Sequence, residues 1–315
     1  MADISPESPE ARRTDERQHR QLGELGLRLR IWEVLKRVAI GTYTDGFTHA
    51  GNLAYLSLVT LFPFFIVAAA IARLFGRTGD GLHALAAFLR TVPPSVGEVL
   101  RQPIVDVLAA RVGSLLWFGA IVGLWTTAGF IETIRAILRQ AYGVQSTTPF
   151  WRYRLGAIGL IVASVILTMA AFSFQVALTA VEAFIARVLP FASDAARLVS
   201  LTKIAPAIAL FVALYMLFYS LTPSRYRKSK CPKWPGAALT ALWWMGTTQL
   251  LPLALDSFAN YDLTYGSLAG VMVALIFFFL VGLGVVIGAE LNAALAEQPR
   301  NVLQTPAQGE APEES

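Results

Sequence analysis

The sequence predicts an all-α polytopic membrane helix bundle: six transmembrane helices plus amphipathic interfacial helices and helices on the outer side. Three observations lead there. The 315 residues are 55% hydrophobic and 15% charged, against about 25% charged in ordinary soluble domains. Six stretches of 18 or more residues carry no Asp, Glu, Lys or Arg, which is enough helix to cross a bilayer. Between them lie polar, basic or proline-marked segments, and the mean hydropathy is +0.55.

The chain is organised around Gly46–Ala72, 27 positions without a charge. As a helix it is roughly 40 Å long. Asn52, Tyr55, Ser57 and Thr60 fall in or near one sector at helical spacing, and Pro63 interrupts it near the middle. An amide in hydrocarbon is costly without a partner. This sector is therefore expected to turn inward and form a polar seam.

Residues 1–21 are rich in Pro, Ser, Glu and Arg, which predicts a disordered tail. In 22–45, Leu22, Leu25, Leu29, Trp32, Leu35 and Ala39 recur at steps of three and four. That predicts an amphipathic helix on the inner surface, with Trp32 at headgroup level. A helix packed on the bundle's inner end fits the same pattern. A membrane domain, 46–296, follows. Its first span, 48–72, is expected to act as an uncleaved signal anchor. Residues 80–111 never run 18 positions uncharged, so two short amphipathic helices, broken at Pro93-Pro94, are expected over the outer face.

The second span is 112–131, with Glu132, Arg135 and Arg139 on one face at its inner end. Glu132 and Arg135 are spaced to pair. The third, 155–181, contains Gln175; the fourth is 204–222. A loop without acids, Pro223–Pro235, carries Arg225, Arg227, Lys228, Lys230 and Lys233. The fifth span, 236–255, holds Pro252, and the sixth, 264–289, is rich in glycine, which suits close helix approach. Glu290 and Asn292 close it, and 297–315 is expected to be a disordered acidic tail. With both ends inside, 18 of the 26 Lys and Arg lie on the inner side and 8 on the outer. The positive-inside rule then places both termini in the cytoplasm.

Catalytic chemistry finds little support. His19, His49 and His83 are scattered and Cys231 stands alone, so no metal site is expected. Nucleotide-binding and nucleophile-elbow motifs are absent. No cofactor and no nucleic-acid partner are expected. Glu290 is expected either to pair with Arg135 or Arg139 or to sit in water at a helix end. Asn52, Tyr55 and Gln175 line a substrate path or serve as interhelical glue. Pro63 and Pro252 are hinges or static kinks. The Arg225–Lys233 loop grips anionic lipid headgroups or merely sets topology. Small-residue faces permit a homo-oligomer.

Ala50-Gly51-Asn52-Leu53-Ala54-Tyr55, then Ser57-Leu58 and Leu61-Phe62-Pro63, resembles the first-span signature of the YihY/BrkB family of bacterial inner-membrane proteins. Tyr265-Gly266-Ser267-Leu268-Ala269 and Gly288-Ala289-Glu290-Leu291-Asn292 resemble its last-span signature. The resemblance covers roughly Trp32–Leu295. It implies a multi-pass protein of the cell inner membrane, with periplasmic-side helices between the first two spans. The family was once labelled ribonuclease BN, a label these residues do not support. Transport of lipid-like or anionic envelope molecules is the function the resemblance implies. A non-transporting envelope scaffold is the alternative. No catalytic residue is carried over.

Overall fold

The computed structural model describes residues 5–11, 27–74, 85–86, 88–109, 113–144, 151–152, 154–166, 201–227, 231–257 and 268–296. Among them there is no strand. The helices are α1 (Leu27–Leu74), α2 (Pro94–Ala109), α3 (Gly113–Tyr142), α4 (Arg154–Ile166), α5 (Leu201–Leu221), α6 (Ser224–Arg227), α7 (Trp234–Ser257) and α8 (Ala269–Leu295). Among the described residues three segments are long and apolar enough to cross a membrane: Ile31–Val67, Trp117–Tyr142 and Ala269–Leu295. Arg154–Ile166 and Ala207–Leu221 are shorter apolar helices. They fall within the expected third and fourth spans. The expected fifth span is α7, which carries Thr240, Thr247, Thr248 and Gln249.

The glycine-rich α8 is the central element, and α1, α2, α3 and α7 all pack on it. Where a hydrophobic force between helices is missing, small residues let backbones approach. At Gly282 an added Cβ would stand 3.1 Å from the Ala50 carbonyl oxygen of α1. At Gly288 it would stand 2.8 Å from the Gly236 carbonyl oxygen of α7. One side of α8 thus receives α1, and another receives α7. α3 runs antiparallel to α1, with Gly123 set against Pro63.

Among the described residues, two large apolar clusters fill most of the bundle. One, at the Glu290 end, joins Leu138, Tyr142, Phe218, Tyr226 and Val286; the other, at the far end, joins Phe65, Val96, Leu100, Ile104 and Phe277. The second corrects one part of the expectation for 80–111. The break at Pro93-Pro94 is present, with helical residues 85–86 and 88–89 before it and α2 starting at Pro94, a favoured first-turn residue, after it, but α2 does not merely lie over the outer face. Its apolar face is core, with Val96 and Ile104 fully buried. The turn before it is tied to α7 by the Trp244 Nε1–H, which donates to the Thr91 carbonyl at 2.7 Å.

The interfacial helix and first span, expected as two elements, are one helix of 48 residues, about 72 Å long. Gly41 and Gly46 each weaken a helix by about 1 kcal/mol, yet α8 packs tightly on Gly41 through Glu290 and touches Gly46 through Val286. Tertiary contact overrides the local break. Nor does Pro63 interrupt α1; it lies inside the helix, closed over by Gly123 of α3. Pro252 likewise lies inside α7.

Residues 5–11 depart from the expected disordered tail. They fold over the Glu290 end, with Ser5 and Ser8 buried.

Candidate functional site at the Glu290 end

The C-terminal turns of α3 and α8, the N-terminal half of α1, the short α6 and segment 5–11 converge here. Glu290 is buried. Its carboxylate lies so close to Gly41 of α1 that a Cβ there would overlap it. Ser5 Oγ donates to Glu290 Oε2 at 3.3 Å. Among the described residues no cation pairs with it. The expected partnership with Arg135 or Arg139 is therefore not formed; the Arg135 guanidinium instead reaches toward Gly156 of α4.

A second polar group lies beside it. Gln140 of α3 bridges two residues of α1: its Nε2 donates to Asp45 Oδ2 at 2.8 Å, and its Oε1 accepts from His49 Nε2 at 2.7 Å. The Ser5 N–H reaches the Gln140 carbonyl at 3.3 Å. Ser5 thus joins the Glu290 group to the Asp45–Gln140–His49 group.

α3 ends in a Schellman turn. Gly143 has φ 71°, the left-handed region that glycine enters freely. The Gly143 N–H donates to Gln140 O at 3.0 Å and the Val144 N–H to Arg139 O at 2.9 Å. Ser8 and Glu10 pack on that glycine.

Glu10 then reaches α6. It pairs with Arg225 Nη1 at 2.8 Å and accepts from Tyr226 Oη–H at 2.7 Å. Burial and the Glu10 carboxylate push the Tyr226 phenol up, so it remains a donor. The other described cations of this loop cap backbone. Arg227 donates to the Ser220 and Thr222 carbonyls at the end of α5, and Lys233 Nζ to the Arg227 carbonyl at 3.0 Å. Burial pulls the Lys233 ammonium below its ordinary range. Lys228 and Lys230 lie outside the described residues.

Glu132 is paired across a longer separation than expected. Its Oε2 meets Arg154 Nη1 of α4 at 2.9 Å, not Arg135. Arg154 also donates to the Trp125 carbonyl at 2.6 Å and stacks 4.1 Å over the Trp125 ring. Asn292 is fully buried, between α8 and the start of α7.

The expected inner seam is not formed by Asn52 and Tyr55. Both are exposed, Tyr55 to 60%. The inward positions at their level belong to Ala50, Leu53 and Ala54. Thr44, Thr48, Asn52 and Tyr55 instead form a polar stripe on an open face of α1, and no described residue lies within 4 Å of a Cβ built at Gly51. Gln175 lies outside the described residues.

Ser5, Glu10, Asp45, Gln140 and Arg154 were not singled out from sequence, and His49 was weighed there only as a metal ligand. For Arg154 a signal existed, since it opens the third span on the side where Glu132 closes the second. Among the described residues no cluster of three His, Cys, Asp or Glu could hold a metal.

A family model described as virulence factor BrkB matches residues 42–313. The chain belongs to that family. A ribonuclease-like protein, YfkH, of Bacillus subtilis (strain 168) is 28% identical over 268 residues, covering 82% of this chain and 93% of the relative. The UPF0761 membrane protein PSHAa0171 of Pseudoalteromonas translucida (strain TAC 125) is 26% identical over 273 residues, 82% of this chain and 83% of the relative. A UPF0761 membrane protein of Vibrio cholerae serotype O1 (strain M66-2), VCM66_2662, is 25% identical over 266 residues, 79% and 82%. No solved structure matches. With its long apolar helices, the chain is a membrane protein of the BrkB/UPF0761 type.

Proposed function

We propose that this BrkB-family protein lies in the bacterial inner membrane, with six spans and both termini cytoplasmic, and moves a lipid-like anionic envelope molecule. The observation that carries the reading is the open polar stripe on α1. Asn52 and Tyr55 lie one to two turns inside the expected span 48–72 and are exposed there. A carboxamide facing pure hydrocarbon without a partner costs roughly 4–8 kcal/mol. A lipid headgroup drawn along the stripe, its tails left in the bilayer, satisfies those groups. The uncharged lengths of the six spans and the excess of inner Lys and Arg support the topology. Glu132, Arg135, Arg139 and Arg225 put both signs of charge at the inner end. In this reading the protein is no enzyme and needs no cofactor.

A scaffold without a substrate has one observation in its favour. The buried polar side chains Thr240 and Asn292 are spent on bonds between helices.

The experiment is scrambling of a fluorescent phospholipid in proteoliposomes, read by dithionite bleaching. Transport predicts loss of both leaflets' fluorescence, with Asn52→Leu returning toward the empty-liposome rate. Wild-type protein no faster than empty liposomes would leave the scaffold for the lipids tried.

A further inference from the structure

We propose that Arg225 and Tyr226 form an anion site, which Glu10 occupies in the resting chain and the headgroup of a net-anionic phospholipid takes when segment 5–11 lifts. The proposal does not rest on transport.

Glu10 holds two donors at once, the Arg225 guanidinium at 2.8 Å and the Tyr226 hydroxyl at 2.7 Å. Guanidinium and phenol converging on one oxyanion suit a phosphate oxygen as well as a carboxylate. Tyr226 is fixed for that task. It is fully buried, its ring lying 5.0 Å from that of Tyr142. Arg225 is reachable, its side chain 36% exposed. The loop Pro223–Pro235 contains no acid, so the anion on Arg225 comes from far along the chain.

The segment carrying Glu10 is built to leave. Ser-Pro-Glu-Ser-Pro-Glu-Ala has no large apolar side chain to anchor it. Its backbone and side-chain bonds to the bundle through Ser5 are both 3.3 Å, long for their kind. Ordering each such residue costs about 1–2 kcal/mol in backbone entropy. A competitor for Arg225 and Tyr226 removes a charged clasp that offsets it. Lifting the segment also takes Ser5 off Glu290, so headgroup binding would uncover the buried carboxylate.

Thiol labelling tests this. Ser8 is fully buried. In a Cys231→Ala background, Ser8→Cys reports the seated segment by slow reaction with a water-soluble maleimide. The protein is placed in nanodiscs of phosphatidylcholine, of phosphatidylcholine with phosphatidylglycerol, and of phosphatidylcholine with inorganic phosphate in the buffer. Phosphatidylglycerol should speed labelling ~10-fold, the gain for a ligand at about ten times its Kd. Adding Glu10→Gln should make labelling fast in phosphatidylcholine alone. The swap E10R/R225E should restore slow labelling and lose the response to phosphatidylglycerol, which also shows that the variants fold. Equal rates in all three discs, or slow labelling in Glu10→Gln, would overturn the proposal. Acceleration by inorganic phosphate alone would overturn the lipid as its source.

Discussion

Asn292 caps a helix other than its own by holding Gly236. Its Oδ1 accepts from the Gly236 N–H at 2.8 Å, and its Nδ2 donates to the Lys233 carbonyl at 3.1 Å. α7 begins at Trp234, so Lys233 stands at its N-cap, where a side-chain acceptor is normally supplied. Lysine has none. α8 supplies it, across 56 residues of sequence. Asn292→Ala leaves the buried Gly236 N–H without this acceptor, a loss of about 1–3 kcal/mol for an orphaned group. The apparent melting temperature in detergent, followed by tryptophan fluorescence, should fall. An unchanged midpoint would show that water replaces the cap.

Two glycines at opposite ends of the packing scale give a matched pair. A Cβ at Gly288 would meet Thr240 Oγ1 and the Gly236 carbonyl, whereas a Cβ at Gly246 meets no described residue within 4 Å. Gly288→Ala should cut the yield of monodisperse protein. Gly246→Ala should be neutral or gain up to about 1 kcal/mol from helix propensity. Size-exclusion profiles of the two variants decide between them.

How much of this was legible beforehand differs by residue. The close approaches at Gly282, Gly284 and Gly288 follow from a glycine-rich span, since little else explains so many small residues in one helix. Which helix each faces does not follow. The sector of Asn52 and Tyr55 was readable from spacing, but its direction was not. Leu53 and Ala54, in the same turn, take the side that meets the core. The unbroken run through Gly41 and Gly46 was hidden because the contacts that sustain it come from α8. Segment 5–11 was least legible. It binds by a handful of polar groups, and these leave no periodicity.

Arg154 and Glu132 tie α4 to α3 with side chains 9% and 21% exposed. Removing one partner of a pair this buried strands the other charge, so Arg154→Met should cost on the order of 3 kcal/mol. Glu132→Gln with Arg154→Met should cost less than the sum of the single changes. Thermal unfolding of the three variants closes the cycle. Strict additivity would show that the pair is not coupled.

Gly143→Ala forces a side chain into φ 71° and against Ser8, whose Cβ would stand 2.9 Å away. The backbone part costs about 1 kcal/mol. The contact should also loosen segment 5–11. Hydrogen exchange at residues 5–11 should rise in this variant, with little change in α5. Exchange rising uniformly would mean that only global stability had changed.

In the proposed function the open stripe of α1 receives a lipid headgroup. The direct measurement is photo-crosslinking in native membranes from benzoylphenylalanine placed at Asn52 or Tyr55, with the adduct weighed by mass spectrometry. The account predicts a phospholipid-sized adduct from both positions and none from the buried Leu214. Adducts only with a second copy of the chain, or no lipid adduct from either position, would contradict it.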